Sequence, residues 1–399
     1  MNSSTEEYPS LSVQAPLSAA KGRTSNEAAA EQTRAAGPET SRESAPSRLG
    51  YLDWLRGLAA VIMLQGHVFH SFTLPALRDG AIYQLSQFLG GMPPAMFLFL
   101  TGITLAFLMD SSDRKGLAVR AKLGAVLRRA GFLLSMAYLL RLQLWLFAWP
   151  QNPWTDLLKV DILNCMGVGV VAMSALALVS TFDRIRWAAF AGVAIAALSP
   201  LVSAANWTAP PEIVRNHVAP SLEFFSFFPW TAYLAFGISA GSLLRYVPSG
   251  QIERVMQWSA LLGMALAGVA HYLANIPYSV YPNSEFWLNN PTQIFIKTGV
   301  VMVLTPIAYL WNQFVIGNRW NWLRQLGATS LLVYWVHIEL AYGNWFWRWK
   351  ERSSTAETAL AALAVIALMV ALSAARTRWH QWKGYLPEVV YRPLGIFTA

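Results

Sequence analysis

YLDWLRGLAAVIMLQGHVFHSFT, residues 51–73, is long and apolar enough to cross a bilayer at about 1.5 Å of rise per residue. It nevertheless carries Asp53, Arg56, His67 and His70. On a helix, positions 53, 56, 60, 63, 67 and 70 advance by three and four, so the polar groups share one stripe. A charge left in hydrocarbon costs roughly 2.5–3.5 kcal/mol on insertion scales. The stripe must therefore face protein or water, and it is a site candidate for that reason.

The rest of the chain agrees with this reading. Of its 399 residues, 55% are hydrophobic and 13% charged, half the roughly 25% charged residues of a soluble domain. The 18 Trp and 14 Tyr suit membrane interfaces, where amphipathic rings settle. Net charge is +9, but the basic residues stand at the ends of apolar runs. They point to topology and anion contacts, not to a nucleic-acid surface. The single Cys165 cannot form an intrachain disulfide. No cleaved signal peptide is expected, because the first apolar run begins after position 50 and continues into a span.

Residues 1–48 are rich in Ser, Ala, Glu, Thr and Pro, which predicts a disordered cytoplasmic tail. From Leu49 the pattern predicts an all-α polytopic membrane protein with about ten transmembrane helices in one bundle, domain 49–376. The spans read 51–73, 82–109, 123–149, 155–180, 187–205, 222–245, 256–275, 292–315, 326–346 and 356–375, with a short cytoplasmic segment at 377–399. GGMPPAMF (90–97) sets paired prolines early in the second span and predicts a kink there. No internal repeat is visible, which weakens transporter readings built on inverted repeats. Arg114, Lys115, Arg120, Lys122, Arg128, Arg129, Arg184, Arg186, Arg245, Arg254, Arg319, Arg324 and the C-terminal Arg376, Arg378, Lys383 and Arg392 fall on one side. The positive-inside rule then places both termini in the cytoplasm. Arg78, Arg215 and the group Arg348, Lys350, Arg352 fall opposite, and that last group runs against the trend.

Arg56 and His67 have ten residues between them, or about 16 Å of helix rise. Arg56 is thus expected near the cytoplasmic face and His67 at mid-membrane or beyond. Histidine suits proton transfer near neutral pH, and Asp53 can pair with Arg56 at i,i+3. The plain alternative makes Arg56 a topology anchor and His67 an interhelical hydrogen bonder; four polar residues on one stripe favour function. In TSLLVYWVHIELAYGNW (329–345), Ser330, Tyr334, His337, Ala341 and Asn344 form a second stripe, with Glu339 directed elsewhere, to Lys297 or an outer loop. Two histidine helices lining one cavity, or a Tyr–His bond joining two helices, fit this pattern equally.

Arg141 and Asp161 both fall in hydrocarbon and form the natural neutralising pair, read as structural. Arg120, Lys122, Arg128 and Arg129 make a cytoplasmic cluster suited to a polyphosphate, against the blander reading of positive-inside bias. Trp145, Trp149, Trp154, Trp207 and Trp230 lie near outward span ends, where they read as membrane-belt residues ahead of sugar-stacking ones. No phosphate-binding glycine loop, zinc spacing, HExxH or GxSxG elbow occurs. Asp110 and Asp113 read as loop residues, and no metal site is expected.

LDWLRGLAAVIMLQGH (52–67) resembles the first-span signature of integral-membrane acyltransferases that acetylate glycans, which carry an Arg and a His with ten residues between them. PAMFLFLTGITLAF (94–107), VDILNCMGVG (160–169), FFPWTAYLAFGISAG (227–241) and SLLVYWVHIEL (330–340) are more similar to the branch around heparan-alpha-glucosaminide N-acetyltransferase and its bacterial relatives. The resemblance implies a ten- or eleven-helix enzyme moving an acetyl group from cytoplasmic acetyl-CoA to an acceptor presented across the membrane. The protein is expected to be an inner-membrane acyltransferase using acetyl-CoA or another acyl-CoA, with a glycan, glycolipid or amino-sugar acceptor. By position, Arg56 would organise the donor end, His67 would be catalytic, and Arg128 and Arg129 would meet the coenzyme A phosphates. In that branch the essential histidine lies after the first span, where this chain has Arg78; His70 is the nearest other histidine. The chemistry needs a base and oxyanion donors, which His67 and then Tyr334, His337 or Asn344 can supply. A homodimer is compatible with the sequence, and membrane lipids are its other expected partners. The rival readings are a secondary transporter or flippase using His67, His337, Arg141 and Asp161 as a proton or substrate path, and a non-catalytic membrane subunit.

Overall fold

The structure, a computed structural model, describes residues 49–382 apart from positions 282 and 318. The expected tail at 1–48 and most of the expected C-terminal segment lie outside the described residues. The helices are α1 (Gly50–Phe72), α2 (Ala81–Gly90), α3 (Pro93–Arg114), α4 (Val119–Phe147), α5 (Ile162–Ala172) and α6 (Thr181–Ala204). They continue with α7 (Glu212–Val218), α8 (Phe227–Tyr246), α9 (Ile252–Asn275), α10 (Pro291–Leu310), α11 (Trp322–Ala328), α12 (Ser330–Tyr342) and α13 (Thr355–Trp382). No strand occurs among the described residues; one isolated bridge joins Thr73 to Ser353.

The protein is an all-α polytopic membrane protein. Six segments are long and apolar enough to cross a bilayer: Ala81–Arg114, Val119–Phe147, Thr181–Ala204, Phe227–Tyr246, Pro291–Ile316 and Thr355–Trp379. The sequence count of about ten also included α1 and α9, which have the length but carry more polar residues, and the shorter α5 and α11–α12. The kink expected at GGMPPAMF is present: α2 stops at Gly90, and Pro93 and Pro94 open α3, where their missing amide hydrogens break no helical bond. Two boundaries are corrected. Helix α3 runs on to Arg114, so Asp110 and Asp113 are helical, not in a loop. Helix α13 runs to Trp382, past the expected span end at 375.

Helix α1 sits at the centre, packed against α2, α3, α10, α11, α12 and α13. Its closest neighbour is α11, because Gly57 and Gly327 remove the side chains that would hold the backbones apart. A Cβ on Gly57 would stand 1.9 Å from the Leu323 carbonyl oxygen, and one on Gly327 would stand 1.8 Å from that of Asp53. Close approach at small residues drives helix association where lipid is as apolar as the side chains. The largest core lies among α3, α4, α5, α6 and α8 and includes Leu98, Leu105, Ala130, Met166, Ala188 and Leu234. Leu261 and Leu262 on α9 and Leu360 and Leu363 on α13 are exposed, as lipid-facing residues are.

Candidate functional site

Helix α12 lies beside α1 so that the two histidine stripes meet. His67 Nδ1 is 3.0 Å from His337 Nε2, and the rings lie nearly parallel, 17° apart with centroids at 5.2 Å. His337 is buried, 1% exposed, and its Nδ1 is 2.8 Å from the Val333 carbonyl oxygen one turn back on α12. A carbonyl only accepts, so His337 Nδ1 carries the hydrogen. In a neutral ring its Nε2 is then bare and accepts from His67 Nδ1–H. The remaining nitrogen, His67 Nε2, is left with its lone pair. One backbone carbonyl thus sets the tautomer of both imidazoles.

The other predicted residues on α12 are placed unevenly. Tyr334 meets His337 edge-on, with ring centroids 5.7 Å apart. Asn344 does not share the α12 stripe: the helix ends at Tyr342, and Asn344 is exposed in the turn that follows. Glu339 is not directed to Lys297. It accepts hydrogen bonds from Trp345 Nε1 at 2.9 Å and Gln143 Nε2 at 3.4 Å, while the Lys297 ammonium lies 5.5 Å from the Trp230 ring centroid. A lysine whose charge cannot be shed into water gains from a nearby aromatic face.

Tyr342 joins the histidines to the surface. Its ring is 5.3 Å from that of His67 and 5.9 Å from that of His70, and its hydroxyl is 3.4 Å from His70 Nδ1. His70 is exposed and does not reach the His67–His337 contact. Arg78 donates to the His70 carbonyl oxygen at 3.2 Å and pairs with Glu351 at 2.9 Å. Ser71 Oγ donates to the Ala341 carbonyl, so the ends of α1 and α12 are tied together. Beyond Tyr342 lies a cavity of about 230 Å³ reaching Arg141 and Asn344. Arg141 faces Asp161 at 3.5 Å, the ion pair expected from the sequence. Asp161 also caps α5, accepting from the backbone amides of Leu163 and Asn164. In the loop after α12, burial lowers the Lys350 ammonium below its ordinary value, and Glu339 pulls it back up.

At the opposite end of α1, Arg56 pairs with Asp53 at 2.6 Å. Arg120, Arg128 and Arg129 are exposed, with Arg129 over the Phe132 ring. Lys122 is turned away from them and pairs with Asp113 at 2.5 Å. Asp113 also binds Arg184 at 2.7 Å, and Asp110 binds Arg114 at 2.9 Å and Arg245 at 2.8 Å. Reading Asp110 and Asp113 as loop residues hid this network; the signal for it was i,i+3 spacing at the end of an apolar helix. Tyr342 was also missed, because nothing in its neighbourhood marks a tyrosine at a helix end as facing another helix. No group of three or more metal-ligating side chains occurs among the described residues.

The described residues thus form a helical membrane bundle with a paired-histidine contact between α1 and α12. The sequence profile of the family described as heparan-alpha-glucosaminide N-acetyltransferase, catalytic, matches residues 48–277, more than half of the chain. The chain belongs to that family and is a multi-pass membrane enzyme of acetyltransferase type. No curated protein matches it. The matched region holds Arg56, His67, Arg141 and Asp161. His337 and Tyr342 lie beyond it and are brought to His67 by the fold; Asn344 also lies beyond it.

Proposed function

We propose that the protein transfers an acetyl group from acetyl-CoA to a glycan, glycolipid or amino-sugar acceptor, with His67 as the general base. The observation that carries this reading is the chain Val333 O···His337···His67, which leaves His67 Nε2 free to accept a proton. As the acceptor hydroxyl or amine attacks the thioester carbonyl, His67 Nε2 takes its proton and the new C–O or C–N bond forms. The C–S bond then breaks, and the thiolate takes the proton back from the imidazolium. Charge that develops on His67 is shared with His337 through the Nδ1–H bond, which is stronger in this dry setting than in water. Of the oxyanion donors expected from the sequence, Tyr334 is the one that stands against His337; both ring nitrogens of His337 are already engaged, by Val333 and by His67.

The donor binds from the Arg56 end, with its phosphates on Arg120, Arg128 and Arg129, since guanidinium groups grip phosphate oxygens in pairs. Asp53 orients Arg56 there. This orientation puts both termini in the cytoplasm, and the protein in the inner membrane. The test is acetyl transfer by purified His67→Ala protein. Transfer should fall by about 10²–10⁴-fold, while acetyl-CoA binding and helical content stay as in the wild type. Wild-type rates in that variant would remove His67 from the role of base. Substrate-driven proton flux without any acetyl-CoA binding would replace transfer by transport.

A further inference from the structure

About two turns into α10, Lys297 places an ammonium inside a membrane-spanning segment. The residue is only 9% exposed, and it makes no hydrogen bond or ion pair with any described residue. Arg141, Arg184 and Arg245, by contrast, each have a carboxylate. What Lys297 has is the Trp230 ring, with its centroid 5.5 Å from Nζ. That ring is itself fixed, by Phe225 at 5.0 Å and Tyr233 at 5.9 Å. An aromatic face offsets only a small part of the cost of taking an ammonium out of water. A buried charge is retained when an opposite charge and hydrogen bonds accompany it.

The groups around the ammonium supply donors and partial charges, but no full negative charge. Gln293 stands one turn earlier on the same face of α10, 6% exposed and without a hydrogen bond to any described residue. Its side-chain amide therefore has an N–H to give beside the lysine. The α2–α3 bend closes the third side, since a Cβ on Gly91 would stand 3.7 Å from Lys297 Nζ. The carbonyl end of α2 at that bend contributes a fraction of a charge at most. The same bend reaches α1 one residue before His67, where Gln87 Nε2 donates to the Gly66 carbonyl oxygen at 3.1 Å.

One positive charge and a neutral donor call for one negative charge. A dianion would leave its excess charge in hydrocarbon, and the small open surface of Lys297 admits only a small ion. We propose that Lys297 Nζ and the Gln293 amide bind one small monovalent anion, with chloride as its simplest occupant. The bound ion holds α10 to the α2–α3 bend. This site is independent of the acyl-transfer reading.

The test uses the full-length protein in nanodiscs, exchanged into gluconate and titrated with radiolabelled chloride at constant ionic strength. Saturable uptake is expected, with competition by bromide and none by sulfate. Chloride should also raise the unfolding temperature with concentration, as a ligand of the folded state does. Lys297→Met keeps the bulk and removes the charge. It should abolish both responses and be no less stable than the wild type in gluconate, whereas loss of a merely structural lysine would destabilise under every salt. Gln293→Leu retains the lysine and should bind chloride several-fold more weakly. Absence of saturable uptake by the wild type, competition by sulfate equal to that by bromide, undiminished uptake by Lys297→Met, or unchanged affinity in Gln293→Leu overturns the site.

Discussion

At the scale of single residues, two histidines 270 positions apart in the chain act as one unit because a third group, the Val333 carbonyl, fixes their hydrogens. The consequence for His337 differs from that for His67. In the proposed reaction, removing His337 leaves His67 in place as base but takes away the partner of its developing charge. Hydrogen bonds to charged groups are worth about 1.5–3 kcal/mol, so His337→Ala should lower kcat by about 10- to 100-fold with little change in the KM for acetyl-CoA. His337→Gln, which keeps an acceptor, should recover part of that loss in the same steady-state assay. The His70 ring is exposed and lies against Tyr342, whose hydroxyl is 3.4 Å from its Nδ1. Its replacement by alanine should change the rate by no more than about 2-fold, the range of ordinary surface substitutions. A loss as large as that of His67→Ala would shift the base to His70. The stripe of Asp53, Arg56, His67 and His70 was legible because a spanning helix makes every polar residue conspicuous. Tyr342 was not, because its role depends on α12 ending there.

At the scale of elements, α1 is held to α11 by backbone contact. Gly57→Ala or Gly327→Ala would drive a methyl group into a carbonyl oxygen under 2 Å away. Such overpacking typically costs about 1–3 kcal/mol, so each variant should unfold at a lower temperature in detergent, by fluorescence or scanning calorimetry. Helices α3 and α6 are joined differently. Arg184 is fully buried and binds Asp113 at 2.7 Å and the carbonyls of Leu176 and Val179 at 2.9 Å. Breaking a buried pair from one side costs about 3–5 kcal/mol, because a charge is left uncompensated. Asp113→Ala should therefore destabilise strongly, and combining it with Arg184→Met should restore much of the loss. A double variant as weak as the sum of the singles would show that the pair is not coupled. The α2–α3 kink was legible from Gly90 to Pro94, since proline restricts the backbone locally. The Asp110 and Asp113 network was not, since its partners come from α6 and α8.

At the scale of the whole described bundle, α1 is central and exposed apolar residues lie on α9 and α13. The His67–His337 contact is closer to one end of α1 than to the other. His67 lies about 26 Å of helix rise from Gly50 and only about 8 Å from the other end of α1 at Phe72. If Arg120 faces the cytoplasm, Asn344→Cys should react with a membrane-impermeant maleimide added outside intact cells, and Arg120→Cys only after the membrane is opened. The native Cys165 is buried and gives a low background. Labelling in the reverse order would invert the proposed orientation.

The sequence by itself determined the all-helical membrane class and the kink at Gly90–Pro94, and it singled out the polar stripe of α1. These follow from local rules: hydrocarbon excludes unpaired backbone groups and charges, and the helical period places residues three and four apart on one face. The pairing of His67 with His337, the cavity behind Tyr342 and the ion pairs of Asp110 and Asp113 were decided only by the tertiary structure. Each joins helices far apart in the chain, and in a bilayer the choice of neighbour is set by close packing and hydrogen bonding between helices, not by the apolarity they all share.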